Sequence, residues 1–287
     1  MIPQASITAW RAVAPWADDA QVEQDLVLTR AVIELFAESA VASRIALRGG
    51  TSLNKLFMQP AVRYSEDMDL VQTKAVPIGP LLDAIRGKLD SWLGRPARSR
   101  AEGGVTLMYR FESEVPPVRP LRLKIEINTR EHLTVLGFSR RRLTADNPWF
   151  AGSADVITYE LDELLGTKLR ALYQRRKGRD LFDLWLCIER GLVNPDRLLA
   201  CFSQYMEHER HKVSRAQFEK NLHEKRNDAA FLNDIVPLLA SGIDYDADGA
   251  MDVVLKTLIQ RLPGEAWRGE TTKPKVGERG RRRWGKS

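Results

Sequence analysis

The chain has 287 residues, of which 44% are hydrophobic and 29% are charged, and this length and composition suit one large globular domain or two modest ones. Its two cysteines lack a CxxC spacing, which argues against a zinc site and against a secreted disulfide scaffold. The sequence contains neither an apolar run long enough to cross a membrane nor a basic start followed by an apolar block, so we expect a cytoplasmic protein without a membrane partner.

Hydrophobic periodicity predicts a first part of mixed α and β structure and a helical second part. In chain order, the predicted elements are a helix over 20–39, a strand over 44–48, a helix over 51–58, a strand over 65–71, a helix over 80–93, strands over 105–111, 121–128 and 156–159, and helices over 161–174 and 181–190, with about four more helical segments reaching residue 262. This order predicts an α+β fold, in which a mixed sheet with flanking helices is followed by an all-helical C-terminal domain.

The formal net charge of +6 is located at the C-terminal end of the chain. Residues 268–287 contain eight Lys or Arg and two acids, so the rest of the chain is about neutral. A basic, Gly-rich segment can contact nucleic acid phosphates, but for so short a segment we prefer a solvated end. We therefore divide the chain into a core domain over 1–155, a helical domain over 156–265 and a basic, disordered tail over 266–287.

A pair of carboxylates marks the strand predicted over 65–71. Residues two apart in a strand point to the same face, so Asp67 and Asp69 project together, while Met68 and Leu70 point to the core. Two neighbouring carboxylates repel each other, and a divalent cation relieves the repulsion because hard cations take oxygen ligands. An acidic turn or a solvated edge strand is the structural alternative.

The preceding turn, RGGTS (48–52), closes one strand and opens a helix. Glycines allow a ligand to approach the backbone closely, and a helix N-terminus presents free N–H groups to an anion. Thr51 and Ser52 add hydroxyl donors. The chain lacks the GxxxxGK[ST] pattern, so this turn is not a Walker A loop, and it could be only a strand–turn–helix corner.

Further charged residues fall where metal or phosphate chemistry could use them. Glu126 lies on the polar face of the strand predicted over 121–128, a face that could otherwise simply be solvated. Lys168 falls inside the apolar stripe of its helix and therefore needs an anionic partner or a route to water. Asp180 and Asp183 are three residues apart and share a face of the next helix, although Asp180 could only cap it.

Four segments together resemble a known family. They are LRGGTSLNKLF (47–57), RYSEDMDL (63–70), KIEIN (124–128) and LLGTKLRALYQRRKGRDLFDLW (164–185). They resemble the AbiEii/AbiGii toxins, which are nucleotidyltransferases of polymerase-β-type fold from type IV toxin–antitoxin systems. The resemblance extends over roughly residues 20–190 and implies a nucleotidyltransferase fold for the N-terminal core.

The resemblance also implies a role for each matching position. The catalytic residues would be Asp67, Asp69, Glu126, Lys168, Asp180 and Asp183. The first three of these would hold Mg²⁺ or Mn²⁺, Lys168 would contact the triphosphate, and one of the last two would be a further essential acid. The nucleotide-binding residues would be Arg48, Gly49, Gly50, Thr51, Ser52, Lys55 and Ser65.

These roles imply a toxin that transfers a nucleotide from an NTP to an RNA acceptor, first of all the tRNA 3′ end, and that has a cognate antitoxin protein as partner. One alternative is transfer of the γ-phosphate to protein or RNA. Another is a regulator that binds nucleotide or RNA without catalysis. The basic cluster Arg170, Arg175, Arg176, Lys177 and Arg179 could contact RNA or could be a solvated helix end.

Overall fold

The computed structural model describes residues 2–101 and 103–269. Their strands form one mixed sheet of seven strands, in the order β3-β4-β5-β2-β1-β7-β6, and helices precede, cover and follow it, which confirms the predicted fold class. The strands are β1 (Ile45–Arg48), β2 (Asp67–Gln72), β3 (Ala97–Ala101), β4 (Gly104–Glu112), β5 (Pro120–Asn128), β6 (Phe138–Ala145) and β7 (Gly152–Tyr159).

The helices divide into those that accompany the sheet and those that follow it. The first group is α1 (Gln4–Trp10), α2 (Asp19–Ala37), α3 (Ser39–Ala42), α4 (Gly49–Leu56) and α5 (Gly79–Leu93). The second group is α6 (Leu161–Gln174), α7 (Gly178–Glu189), α8 (Pro195–His208), α9 (Arg215–Arg226), α10 (Ala229–Asn233) and α11 (Ala247–Thr257). Short 3₁₀ turns at Val236–Leu238 and Ile259–Arg261 complete the second group.

The main core lies on one face of the sheet, against α2 and α5. Met68 and Leu70 of β2 and Ile125 and Ile127 of β5 are buried in it, as the alternation of apolar and polar residues predicts. Because β2 and β5 are parallel and in register, their polar side chains project together from the opposite face. The core therefore fixes which way the predicted carboxylates point.

A second apolar core lies among the helices that follow the sheet, where α6 packs on α8 and α7 packs on α11. Leu53 and Met58, at and just after α4, are buried in this second core. Helix α4 thus joins the sheet-containing part of the chain to the helical part. Since α4 also begins at the predicted glycine turn, the packing of the helical part positions that turn.

Several predicted boundaries differ from the structure. The elements α1, α3, β3 and β6 were not predicted, and β7 is longer than the strand predicted over 156–159. The boundary predicted between residues 155 and 156 falls inside β7, so the all-helical part begins only at Leu161. The division into separately folding domains stays a prediction.

The predicted basic tail over 266–287 is described only as far as residue 269; residues 270–287 lie outside the described residues. At its start, the backbone N–H of Trp267 donates to Glu219 Oε2 at 2.6 Å, and its ring packs on His223 with centroids 4.8 Å apart. These first residues therefore contact α9. Among the described residues, no helix combines the length and apolar character needed to span a membrane.

Candidate active site

The predicted carboxylates line one wall of a cleft of about 380 Å³. Asp69 of β2 lies directly opposite Glu126 of β5, and Asp67 lies opposite Lys124. All four side chains project from the face away from the main core, because residues in register on neighbouring strands share a face. The sheet thus brings together three acids, of which Asp67 and Glu126 are 59 residues apart in the sequence.

The two glycines at the start of α4 form the base of this wall. Gly49 has φ +75°, and a Cβ there would overlap the carboxylate of Asp69. A Cβ on Gly50 would lie 2.6 Å from an Nη of Arg63 and 3.1 Å from Ser65 Oγ. Glycine is required at both positions because the backbone must pass this close to charged groups. Both glycines and Ser65 line the cleft.

The environment of Asp67 and Asp69 suits a bound cation. Burial raises the pKa of Asp67 to about 6, with Lys124 opposing the rise and the neighbouring acids adding to it. Burial likewise raises the pKa of Asp69, although Arg48 opposes it. One oxygen of Asp67, Oδ1, is buried without a hydrogen-bond partner. A divalent cation would take that oxygen as a ligand and remove the repulsion between the carboxylates.

Lys124 contacts two of these acids, Glu126 and Asp67. Its Nζ lies 2.9 Å from Glu126 Oε1 and 4.0 Å from Asp67 Oδ2. Among the described residues, no three His, Cys, Asp or Glu side chains are grouped closely enough to form a finished metal site. The three predicted metal ligands share a face of the sheet, but the carboxylate of Glu126 is paired with Lys124. The three carboxylates are therefore not gathered around one point.

Two cations from the helical part, Lys168 and Arg175, also line the cleft. Lys168 Nζ lies 3.1 Å from Asp180 Oδ1 and 3.0 Å from Asp183 Oδ2. Arg175 Nε donates to Asp180 Oδ2 at 2.7 Å and its Nη2 donates to Oδ1 at 2.9 Å. Burial alone would raise the pKa of Asp180, but Lys168 and Arg175 lower it to about 2. Asp180 is thus ionised and orients both cations.

Asp183 has a different partner, Arg63, which the sequence did not single out. The two form a bidentate pair, with Nε–Oδ1 and Nη2–Oδ2 distances of 2.7 Å, and both side chains are 2% exposed. Burial opposes ionisation of Asp183, yet Arg63 and Lys168 hold its pKa below the ordinary value. Asp180 and Asp183 do not line the cleft; they position the cations that do.

A second ion-pair network lies beside Asp69. Arg48, opposite Asp69 in the β1–β2 register, donates to Glu131 Oε2 at 2.6 Å. Arg170 donates to Glu131 Oε1 at 2.6 Å and to Glu209 Oε1 at 2.9 Å. Burial alone would raise the pKa of Glu131, but Arg170 and Arg48 lower it to about 2. Arg48 and Arg170 both line the cleft, and Glu131 fixes them there.

Three of the predicted nucleotide-binding residues contact the protein itself. The buried Thr51 hydroxyl donates to the Asp67 carbonyl at 2.5 Å, and the buried Ser52 hydroxyl lies 2.6 Å from the Thr158 hydroxyl. Lys55 Nζ pairs with Asp25 Oδ1 at 2.6 Å. None of the three lines the cleft. Their side chains point inward because this side of α4 packs against the sheet and α2. Through these internal contacts the three side chains support the glycine turn.

The basic cluster at the junction of α6 and α7 is largely engaged by acids. Arg176 Nη1 lies 3.0 Å from Asp228 Oδ2, Lys177 Nζ lies 3.2 Å from Asp234 Oδ1, and Arg179 Nε lies 3.8 Å from Asp234 Oδ2. Arg176 and Lys177 are thus paired within the protein, whereas Arg170, Arg175 and Arg179 line the cleft, and RNA binding by the cluster stays a prediction.

Comparisons with known proteins bear on the family and the fold. A sequence profile described as "Nucleotidyl transferase AbiEii toxin, Type IV TA system" matches residues 30–253. No curated protein matches the chain. The solved structure of MenT4, a nucleotidyltransferase toxin from Mycobacterium tuberculosis H37Rv, has a TM-score of 0.55 at 14% identity and covers 92% of this chain and 91% of its own. A candidate nucleotidyltransferase from H. pylori has a TM-score of 0.53 at 17% identity, covering 85% of this chain and 94% of its own. At these identities the two structures establish a shared fold.

Proposed function

Because the chain belongs to the AbiEii family of nucleotidyltransferase toxins from type IV toxin–antitoxin systems, we propose that it transfers a nucleotide from an NTP to an RNA acceptor, the 3′ end of a tRNA, and releases pyrophosphate. Family membership makes the chain a nucleotidyltransferase and implies an NTP substrate and an antitoxin partner. We extend this to a cytoplasmic site of action and a cognate antitoxin protein.

The observation that carries the proposal is that carboxylates and fixed cations line one cleft. Asp67, Asp69 and Glu126 share it with Lys168 and Arg175, and both cations act on the pKa of Asp69. Transfer of a nucleotidyl group depends mainly on alignment and on neutralising phosphate charge, since little covalent help is needed. Acids that could hold a cation, together with fixed cations, suit this chemistry.

Nucleotidyltransferases of this type generally use divalent metals, and we propose Mg²⁺, with Mn²⁺ as a substitute. Asp67 and Asp69 would hold it, and Glu126 would join them after leaving Lys124. When bound, the cation would neutralise charge on the phosphates and on the attacking oxygen. The unpaired Oδ1 of Asp67 supports this assignment.

The remaining residues act on the donor and the acceptor. Gly49 and Gly50 begin α4, and their backbone N–H groups would donate hydrogen bonds to phosphate oxygens, while Lys168 and Arg175 would stabilise the leaving pyrophosphate. The acceptor hydroxyl loses its proton to solvent as its oxygen forms a bond to the α-phosphorus, and the bond from that phosphorus to the α–β bridging oxygen breaks, so that pyrophosphate leaves. Glu126, whose side chain is 44% exposed, marks the side from which an acceptor can approach.

Labelling of RNA tests the proposal directly. The purified protein is incubated with total tRNA, Mg²⁺ and each α-³²P-labelled NTP in turn, and parallel reactions contain γ-³²P-labelled NTP. We expect label on tRNA from the α-position only, lost in Asp69→Asn and retained in Glu66→Gln, which changes an adjacent, half-exposed acid.

The outcomes separate the alternatives. Transfer of γ-label would instead identify phosphoryl transfer. Absence of both labels, together with retained NTP binding, would identify a binding protein and contradict the proposal.

A further inference from the structure

The face of β4 and β5 that carries Glu126 is open to solvent beyond the cleft. Helices α2 and α5 pack on the other, apolar face of these strands. On the open face lie three cationic side chains, which we call the basic strip: Arg110, Arg122 and Lys124. Arg110 and Arg122 are exposed, and Lys124 is 27% exposed.

Two of these cations are placed against each other. Arg110 of β4 lies directly opposite Arg122 of β5, and like charges in such a pair are unfavourable. Arg110 makes no side-chain hydrogen bond or ion pair with any residue that the structure describes, and the nearest acid to Arg122 is Glu66, at 3.7 Å. An anion that bridges the two guanidiniums would remove the repulsion, and phosphate suits them because arginine binds it through two parallel hydrogen bonds.

The basic strip leads straight to the carboxylates. Arg122, Lys124 and Glu126 alternate along β5 on one face, so successive side chains are about 6.6 Å apart and Arg122 is about 13 Å from Glu126. A chain whose terminal hydroxyl lies at Glu126 would therefore place a backbone phosphate one or two nucleotides upstream at the two arginines.

We propose that the basic strip holds the backbone of a single-stranded polynucleotide acceptor and directs its 3′ end to the carboxylates. This inference rests on the proposed function. The open face carries Thr106 and Met108 beside the strip and no aromatic side chain within residues 104–110 and 122–126, so base stacking, the usual sequence-tolerant contact, does not operate there. Recognition is by phosphate charge and is independent of base sequence.

The double variant Arg110→Ala/Arg122→Ala tests the strip, and Arg98→Ala/Arg100→Ala is its matched control. Arg98 and Arg100 are exposed on the neighbouring strand β3, but they pair with Leu107 and Val105 and therefore lie on the other face of the sheet. The probe is a short fluorescent single-stranded RNA with a free 3′ hydroxyl. Its binding is measured by anisotropy at several salt concentrations, and the KM values for NTP and for RNA are measured by transfer.

We expect the strip variant to bind the RNA at least about tenfold more weakly, with a salt slope lower by about 0.7 because the contact with the bridging phosphate is lost. Its KM for RNA should rise while its KM for NTP is unchanged, and the control should match the wild type. Equal RNA binding by both double variants would overturn the inference. The same result is expected if the strip binds an acidic protein and not RNA.

Binding and transfer also distinguish this inference from the proposed function. If the wild type transfers nucleotides and the strip variant does so with an unchanged KM for RNA, the proposed function stands and the role of the strip in RNA binding is wrong. If the wild type binds RNA through the strip but transfers nothing, the strip stands and the proposed function fails.

Discussion

Replacing Asp67 with Asn is expected to make the metal-free protein more stable while abolishing nucleotide transfer. Burial, opposed by Lys124 and supported by the neighbouring acids, raises the pKa of Asp67 from 3.8 to about 6, and its Oδ1 lacks a partner. The ionised carboxylate therefore destabilises the fold at neutral pH. An amide at this position carries no charge and removes that cost, but it is a poor ligand for a divalent cation.

The size of the effect follows from the pKa. A rise from 3.8 to about 6 corresponds to about 3 kcal/mol at neutral pH, since one pKa unit is about 1.4 kcal/mol. Because the side chain is 31% exposed, solvent screening reduces this to about 1–2 kcal/mol. For a chain of this size, about 2–4 °C per kcal/mol gives an unfolding midpoint higher by a few degrees.

The pH dependence has a definite sign. The folded pKa of Asp67 lies above its unfolded value of 3.8, so the folded protein binds more protons than the unfolded chain between about pH 4 and pH 6. The wild type therefore loses stability relative to Asp67→Asn as the pH rises through this interval. Above about pH 6 the difference in unfolding free energy is constant.

Thermal unfolding followed by circular dichroism in EDTA, from about pH 4 to pH 8, measures this difference. Glu66→Gln is the control, and its unfolding free energy should stay within about 0.5 kcal/mol of the wild type. Mg²⁺ should raise the midpoint of the wild type more than that of Asp67→Asn. An Asp67→Asn protein that is less stable than the wild type in EDTA at neutral pH would refute the reasoning, because the carboxylate would then be stabilised by its surroundings.

Three further substitutions test the cleft and the residues that support it. Gly49→Ala should reduce transfer at least about tenfold in a folded protein, because a Cβ at φ +75° overlaps the carboxylate of Asp69; wild-type turnover would contradict this. Thr51→Val should lower the free energy of unfolding by about 1–3 kcal/mol, because its buried hydroxyl is lost, and leave the KM for NTP unchanged, whereas a raised KM would show that the hydroxyl contacts the donor. Asp183→Asn should cost about 3–5 kcal/mol in denaturant unfolding, because Arg63 is left buried without its charged partner; a cost below about 1 kcal/mol would show that the pair is dispensable.

The sequence predicts best where local periodicity and burial agree. The alternation of β2 and β5 places Asp67, Asp69 and Glu126 on one face, and the structure has them there. The apolar stripe of α6 predicts that Lys168 needs an anionic partner or a route to water, and the structure gives it Asp180 and Asp183 as partners. These features depend on residues close in sequence or on the face of a single element.

The features that were missed depend on position in the fold. The strands β3 and β6 are at the two edges of the sheet, where charged residues replace the usual alternation, so ARSRA and FSRRRLTA carry little strand signal. Thr51 and Ser52 follow a glycine turn that resembles a phosphate loop, yet their partners Asp67 and Thr158 come from other strands. Arg63 has no local signal, because its partner is 120 residues away.

The buried bond between Arg63 and Asp183 joins the segment before β2 to α7 and so ties the sheet to the helical part of the chain. With both side chains 2% exposed, this tie resists any hinge between the two parts. The acids of β2 and the cations held by Asp180 and Asp183 therefore keep a fixed relation to each other, and a ligand must fit the cleft as the fold presents it.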